Sequence, residues 1–316
     1  MKSENDFSHA FIDLAKIGRT DWRSVALTVL CVALSFLLVE FLVNLIGAIM
    51  VLLQLFFAGR IFHIPDADLT VVFHAADAAA CIFGLWLACK KIMRRPFRSL
   101  ISTDMAFDIR RCFLGAALCL VANAVSLLAF SLFFSIQVGV PLFRRFEWPH
   151  HDQIVVSMGV LIVVPFHAFA EELFFRAWLT QTFGHYIRST ITVAMLVAVL
   201  FAAAHTTYDL SGKAQIMVDS LGLSVLSLRD RRLELAIGAH SMMNVSVALL
   251  ALFFTGALPY VQSPVTTLDS WSIVILRGVL PYALLYGLVC ITRGWFVPTD
   301  ARLAIPDDVQ PRHLGS

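Results

Sequence analysis

From Ser24 to Ala58 the sequence carries a single charged side chain, Glu40, in a run longer than the about 20 apolar residues that cross a bilayer as one helix. Hydrocarbon offers no partner for backbone N–H and C=O groups, so such a run must bond to itself as a helix. Asn44 and Gln54 dot its second half. It reads as one long tilted helix, with a helix plus a re-entrant piece as the alternative. Comparable runs follow at Leu69–Cys89, Cys112–Phe134, Ile154–Phe183, Ser189–His205, Ala214–Leu228, Leu233–Phe254 and Trp271–Ile291. They predict an all-α, polytopic integral membrane helical bundle with about eight transmembrane helices. A hydrophobic fraction of 59% and a mean hydropathy of +0.80 fit that class and exclude an ordinary soluble domain.

The charges lie between the runs. Residues 1–23 form a polar N-terminal segment whose Phe7, Phe11, Ile12, Leu14 and Ile17 predict an amphipathic piece at the membrane interface. Residues 24–153 hold the first helices and a basic loop, 90–111, with the densest positive charge in the chain. Positive loops stay in the cytoplasm, which puts this loop and both termini on that side, with residues 293–316 as a polar tail. Anionic headgroups are the nearest partners for such a loop, so no nucleic-acid role is expected. The cysteines, Cys31, Cys81, Cys89, Cys112, Cys119 and Cys290, lack metal-site spacing and read as small buried residues.

Within residues 154–292 three helices carry polar groups where apolar ones are expected. Intramembrane acids are rare and mark functional sites by default, and here Glu171 and Glu172 are adjacent. Helical spacing pairs Glu172 with Arg176 at i,i+4 and turns Glu171 about 100° away, toward the side of Phe175. Phe201 and His205 end the next helix, and His240 and Asn244 share a face of a later one. Counting helical rise from the nearest turns puts Glu171 roughly 20 Å deep, His205 roughly 25 Å and His240 only about 12 Å. The levels agree only if helices tilt or the sixth segment is re-entrant.

If the groups meet, a carboxylate beside a neutral imidazole can take a proton from water and return it. Histidine and asparagine N–H groups four residues apart can donate to the oxyanion of a tetrahedral intermediate. The same atoms also suit a zinc site of Glu171, His205 and His240 with an open position. His74 and Asp77, three apart in the second run, read as interhelical hydrogen-bonding residues, with a second polar site as the alternative.

Glu171-Glu172-x-x-x-Arg176, Phe201-x-x-x-His205 and His240-x-x-x-Asn244, in this order across membrane helices, resemble the signature motifs of the CAAX protease and bacteriocin-processing (CPBP, or Abi) family. The resemblance covers roughly Leu161 to Leu250. It implies an intramembrane endopeptidase related to the type II CAAX prenyl proteases, with Glu171 activating water, His205 assisting, and His240 and Asn244 as oxyanion donors. Glu172, Arg176 and Phe201 would support them. Ala177 stands where the family's commonest motif has glycine. By this reading no cofactor is obligatory, zinc being the alternative, and the partners are membrane lipids and a membrane-associated or lipidated polypeptide substrate. A non-catalytic scaffold or immunity protein is the runner-up. A transporter using Glu40, His74, Asp77 and the acidic pair comes third, because no repeat relates the two halves of the chain.

Overall fold

The computed structural model describes residues 5–56, 66–138, 145, 146, 148, 151–255 and 274–296. Residues 57–65 with the Pro65 of the expected link, residues 139–144, 147, 149 and 150 of the 135–153 loop, residues 256–273 with Pro259 and Pro264, and residues 297–316 lie outside the described residues.

The architecture is helical, as the apolar runs require. In chain order the helices are α1 (Asn5–Ile12), α2 (Trp22–Phe56), α3 (Asp66–Ala88), α4 (Ile109–Val138), α5 (His151–Glu171), α6 (Thr180–Tyr186), α7 (Thr190–Ala204), α8 (Leu210–Asp230), α9 (Glu234–Phe253) and α10 (Leu280–Ile291). Wider π-helical turns extend α3 through Met93, join α5 to α6 over Glu172–Leu179, and precede α10 over Val274–Val279. Arg145–Phe146 and Phe254–Thr255 pair as a short antiparallel ribbon. Among the described residues six helices are long and apolar enough to cross a membrane: Trp22–Leu53, Val71–Met93, Ile109–Ile136, Gln153–Tyr186, Glu234–Phe253 and Val274–Ile291. The chain is a multi-pass integral membrane protein, and the expected fifth and sixth spans correspond to α7, a shorter apolar helix, and to α8, which is not among the six. Rows of exposed apolar side chains, such as Leu37 and Phe41 on α2 and Leu128 on α4, form its lipid-facing surface.

Lipid tails are as apolar as leucine, so helices associate here through close packing and polar contacts rather than the hydrophobic effect. The crossing of α4 and α9 depends on glycine. A Cβ on Gly238 would run into the Cys112 carbonyl, and one on Gly115 into that of Leu235. Side chains from α1, α3, the Glu172–Leu179 turns and α7 build one core, while α4, α8, α9 and α10 build a second.

One end of the bundle is tied together by charge. Arg111 Nη2 donates to both Asp230 oxygens at 2.6 and 2.7 Å, and the Phe296 N–H reaches the same carboxylate at 2.6 Å. Arg232 bonds Asp104 and, at 2.6 Å, Glu234. Arg95 donates to Gln181 at 2.9 Å, and Gln181 donates to the Ser99 carbonyl at 3.1 Å. The basic loop is therefore more than a topology signal: its buried Arg95 and half-buried Arg111 clasp α6 and the α8–α9 turn. The same end gathers the N-terminal segment, through Arg188 on Asp13 at 2.9 Å, and the residues after α10.

Two expectations are corrected. The N-terminal segment does not simply lie on the membrane, because Phe11 and Ile12 are fully buried. Gly184 leaves the space that Ile12 fills, and a Cβ there would strike its side chain. Gly184 thus serves close packing rather than ending the helix, which continues to Tyr186.

Candidate active site

Glu171 closes the regular part of α5, and at Glu172 the helix widens. The Thr180 N–H donates back to Phe175 O, five residues earlier, the π-helical spacing. Such turns recur at functional sites because they reset which side chains share a face. Here both glutamates reach one ring. His240 Nδ1 lies 2.8 Å from Glu172 Oε1, and His240 Nε2 lies 3.4 Å from Glu171 Oε2. The expected division, with Glu171 alone meeting the histidines, is corrected: His240 bridges the two acids.

The Glu172–Arg176 pair forms as expected, with Nη1 at 3.2 Å from Oε1, both side chains fully buried. The angle is not that of a hydrogen bond, and among the described residues no guanidinium nitrogen of Arg176 has a hydrogen-bond partner. Its other support is aromatic, with Cζ 4.0 Å from the centre of the Phe201 ring. Phe201 also meets Phe175 at 4.9 Å, His205 at 4.7 Å and His240 at 6.0 Å. All three sequence motifs converge on that one ring.

His205 ends α7, with its backbone leaving helical geometry at φ −84 and ψ 73. Its Nδ1 is 2.8 Å from the Phe201 carbonyl oxygen. A carbonyl only accepts, so Nδ1 carries the proton and Nε2 presents a lone pair. Asn244 stands one turn beyond His240 and is half-buried, and among the described residues its amide has no hydrogen-bond partner. The mismatch in depth has a plain cause. Leu233, Glu234 and Leu235 are fully buried beneath the loop that follows α3, where the Leu233 N–H bonds Ile101 O at 3.0 Å. The start of α9 therefore lies inside the protein, and counting depth from the turn as though from a membrane surface places His240 too shallow.

Residues 153–246 match the family profile described as Type II CAAX prenyl endopeptidase Rce1-like. This stretch resembles an Rce1-like domain. The chain is also similar to the uncharacterized protein YyaK of Bacillus subtilis (strain 168), 29% identical over 182 residues, or 54% of this chain. It spans 57% of that relative's length.

The Rce1-like domain contains every motif residue named from the sequence. Its Ala177 is fully buried, in keeping with the small volume close packing needs there. Among the described residues no three His, Cys, Asp or Glu side chains are placed to hold a metal ion, so Glu171, His205 and His240 do not converge as a ligand set.

Two residues of the Rce1-like domain escaped the sequence reading. His167, one turn before Glu171, has Nδ1 3.8 Å from Glu171 Oε2. The i,i+4 spacing could have revealed it. Asp219 of α8 lies within electrostatic reach of Arg277, His240 and Arg176. It is separated from them in sequence by turns and other helices, so no local pattern marks it. Glu40, by contrast, is exposed on α2, its carbonyl bonded by Asn44 at 2.8 Å.

Proposed function

We propose that the chain is an intramembrane endopeptidase that hydrolyses peptide bonds with a water activated by Glu171. The observation that carries this reading is His240 seated between both glutamates. Nδ1 donates to Glu172, whose charge Arg176 balances. Nε2 then faces Glu171 Oε2 at 3.4 Å, an ion pair when the ring carries its second proton. With the proton on His240, the set Glu171, Glu172, His240 and Arg176 is neutral overall, which a dry interior favours.

From that state Glu171 takes a proton from water while the oxygen attacks the scissile carbonyl. His205 Nε2 is the second acceptor in this step. His240 Nε2–H and the Asn244 amide donate to the oxyanion. Glu171 returns its proton to the leaving nitrogen as the C–N bond breaks, giving a carboxylic acid and an amine. By analogy with the family description, the substrate is a membrane-associated or lipidated polypeptide. The basic loop, both ends of the chain and this reading of sidedness put the termini in the cytoplasm. No cofactor is needed. The alternative is a zinc ion held by Glu171, His205 and His240, with one position open for water.

The test is cleavage of a C-terminally lipidated, fluorogenic peptide by the purified protein in proteoliposomes. Glu171→Gln and His205→Ala are expected to lower turnover by about 100-fold or more while leaving the fold intact. Full cleavage by Glu171→Gln overturns the mechanism. An unchanged cellular effect of both variants would favour the scaffold reading instead.

A further inference from the structure

Exposure falls stepwise along one row of polar side chains that ends at the candidate site. Asp77 and His74 on α3 are exposed. His167 on α5 has 27% of its side chain exposed, Glu171 18%, His240 7% and Glu172 none. The members touch in sequence: the His74 and His167 rings are 5.1 Å apart, and His167 Nδ1 is 3.8 Å from Glu171 Oε2. Asp77 and His240 also lie within electrostatic reach of His167. Neighbouring side chains on the same two helices, Val72 and Phe73 on α3 and Ile162 and Phe166 on α5, are exposed and apolar.

An exposed aspartate inside the membrane-crossing stretch Val71–Met93, as Asp77 is, is costly against hydrocarbon. Polar groups at such depth face water or one another. A hydrolase buried in an apolar bundle must in turn admit one water for every bond it cuts.

We infer that the edge between α3 and α5, lined by Asp77, His74 and His167, is an aqueous inlet that brings water to Glu171. The apolar neighbours face lipid on either side of it. The polar rim supplies hydrogen-bonding stations from the surface inward, so water need not cross bare hydrocarbon. His74 and Asp77 thereby gain a role beyond bonding one helix to another. The inference rests on the reading of Glu171 as the acid that activates water.

Thiol labelling tests it without relying on cleavage. In a full-length background lacking the native cysteines, His74→Cys and Asp77→Cys are exposed in proteoliposomes to a charged, membrane-impermeant methanethiosulfonate, with Ile162→Cys and Phe73→Cys as lipid-facing controls. The reagent attacks the thiolate, which forms in water and not in hydrocarbon, so the inlet thiols are expected to react at least about ten-fold faster than the controls. Complete labelling of every variant after unfolding in detergent confirms that each thiol is present. Equal rates at the inlet and control positions overturn the inlet. Labelling that persists when Glu171→Gln is added separates hydration from catalysis: the inlet then stands even if the protease reading falls.

Discussion

The guanidinium of Arg176 and the ring of Phe201 form the centre of the site, with Cζ 4.0 Å from the ring centroid in a fully buried setting. A desolvated cation over an aromatic face is worth about 2 kcal/mol. Phe201→Leu removes the ring while keeping an apolar side chain, so it is expected to lower stability by about that amount and to loosen His205 and His240 with it. Phe201→Tyr keeps the ring and should hold near the parent. Thermal unfolding in detergent, read beside cleavage, checks both.

Glu172 neutralises Arg176 and anchors His240 through the same oxygen. Breaking a buried pair by removing one partner costs about 3–5 kcal/mol, because a charge is left uncompensated. Glu172→Gln is therefore expected to destabilise the protein by that order. Adding Arg176→Met should restore much of the stability without restoring cleavage, since His240 still lacks its anchor. A double-mutant cycle on both properties measures the split.

Cleavage is expected to survive dialysis against a strong chelator, and added Zn²⁺ should not raise it. The reason is geometric: Glu171, His205 and His240 do not come together as ligands among the described residues. Metal content measured alongside activity decides the point, and loss of turnover that zinc restores would count against the water-glutamate mechanism.

At the charged end of the bundle, burial pushes the Asp104 carboxyl upward, but the Ser102 hydroxyl, the Ala106 N–H and Arg232 outweigh it and hold the group below its ordinary 3.8. A carboxyl depressed in the folded state favours folding wherever the unfolded chain's carboxyl is ionised, here above about pH 4. That contribution is lost as pH falls through the lower, folded value. Melting temperature should therefore drop more steeply below pH 4 in the parent than in Asp104→Asn, as a pH series of thermal melts would reveal.

Most of the helices were legible because an apolar run in hydrocarbon has one way to satisfy its backbone. The motif residues were legible because Glu171, His205 and His240 are expensive where they sit. What the spacing could not reveal depends on tertiary packing. The π-helical turns that bring both Glu171 and Glu172 to His240 break the 100° rule used to part them. The start of α9 is buried where Arg232 meets Asp104, far away in the chain, and this upset the depth count. Phe11 and Ile12 look amphipathic alone, yet both are buried in the core, Ile12 in the space that Gly184 leaves.

The contact of Gly238 with the Cys112 carbonyl, and of Gln181 with Arg95 and Ser99, reaches from the profile-matched region into chain that precedes it. Residues 153–246 thus mark where the sequence likeness lies and not where the packing stops. Excised, they would expose the glycine groove of α9, strand Gln181 without Arg95 and Ser99, and leave Arg232 without Asp104. Transplanting the motif residues into another membrane scaffold would require carrying the α3–α4 loop along with them, because Leu100 and Ile101 of that loop share a core with Leu173, Ala177 and Trp178 of the turns that hold Glu172 and Arg176.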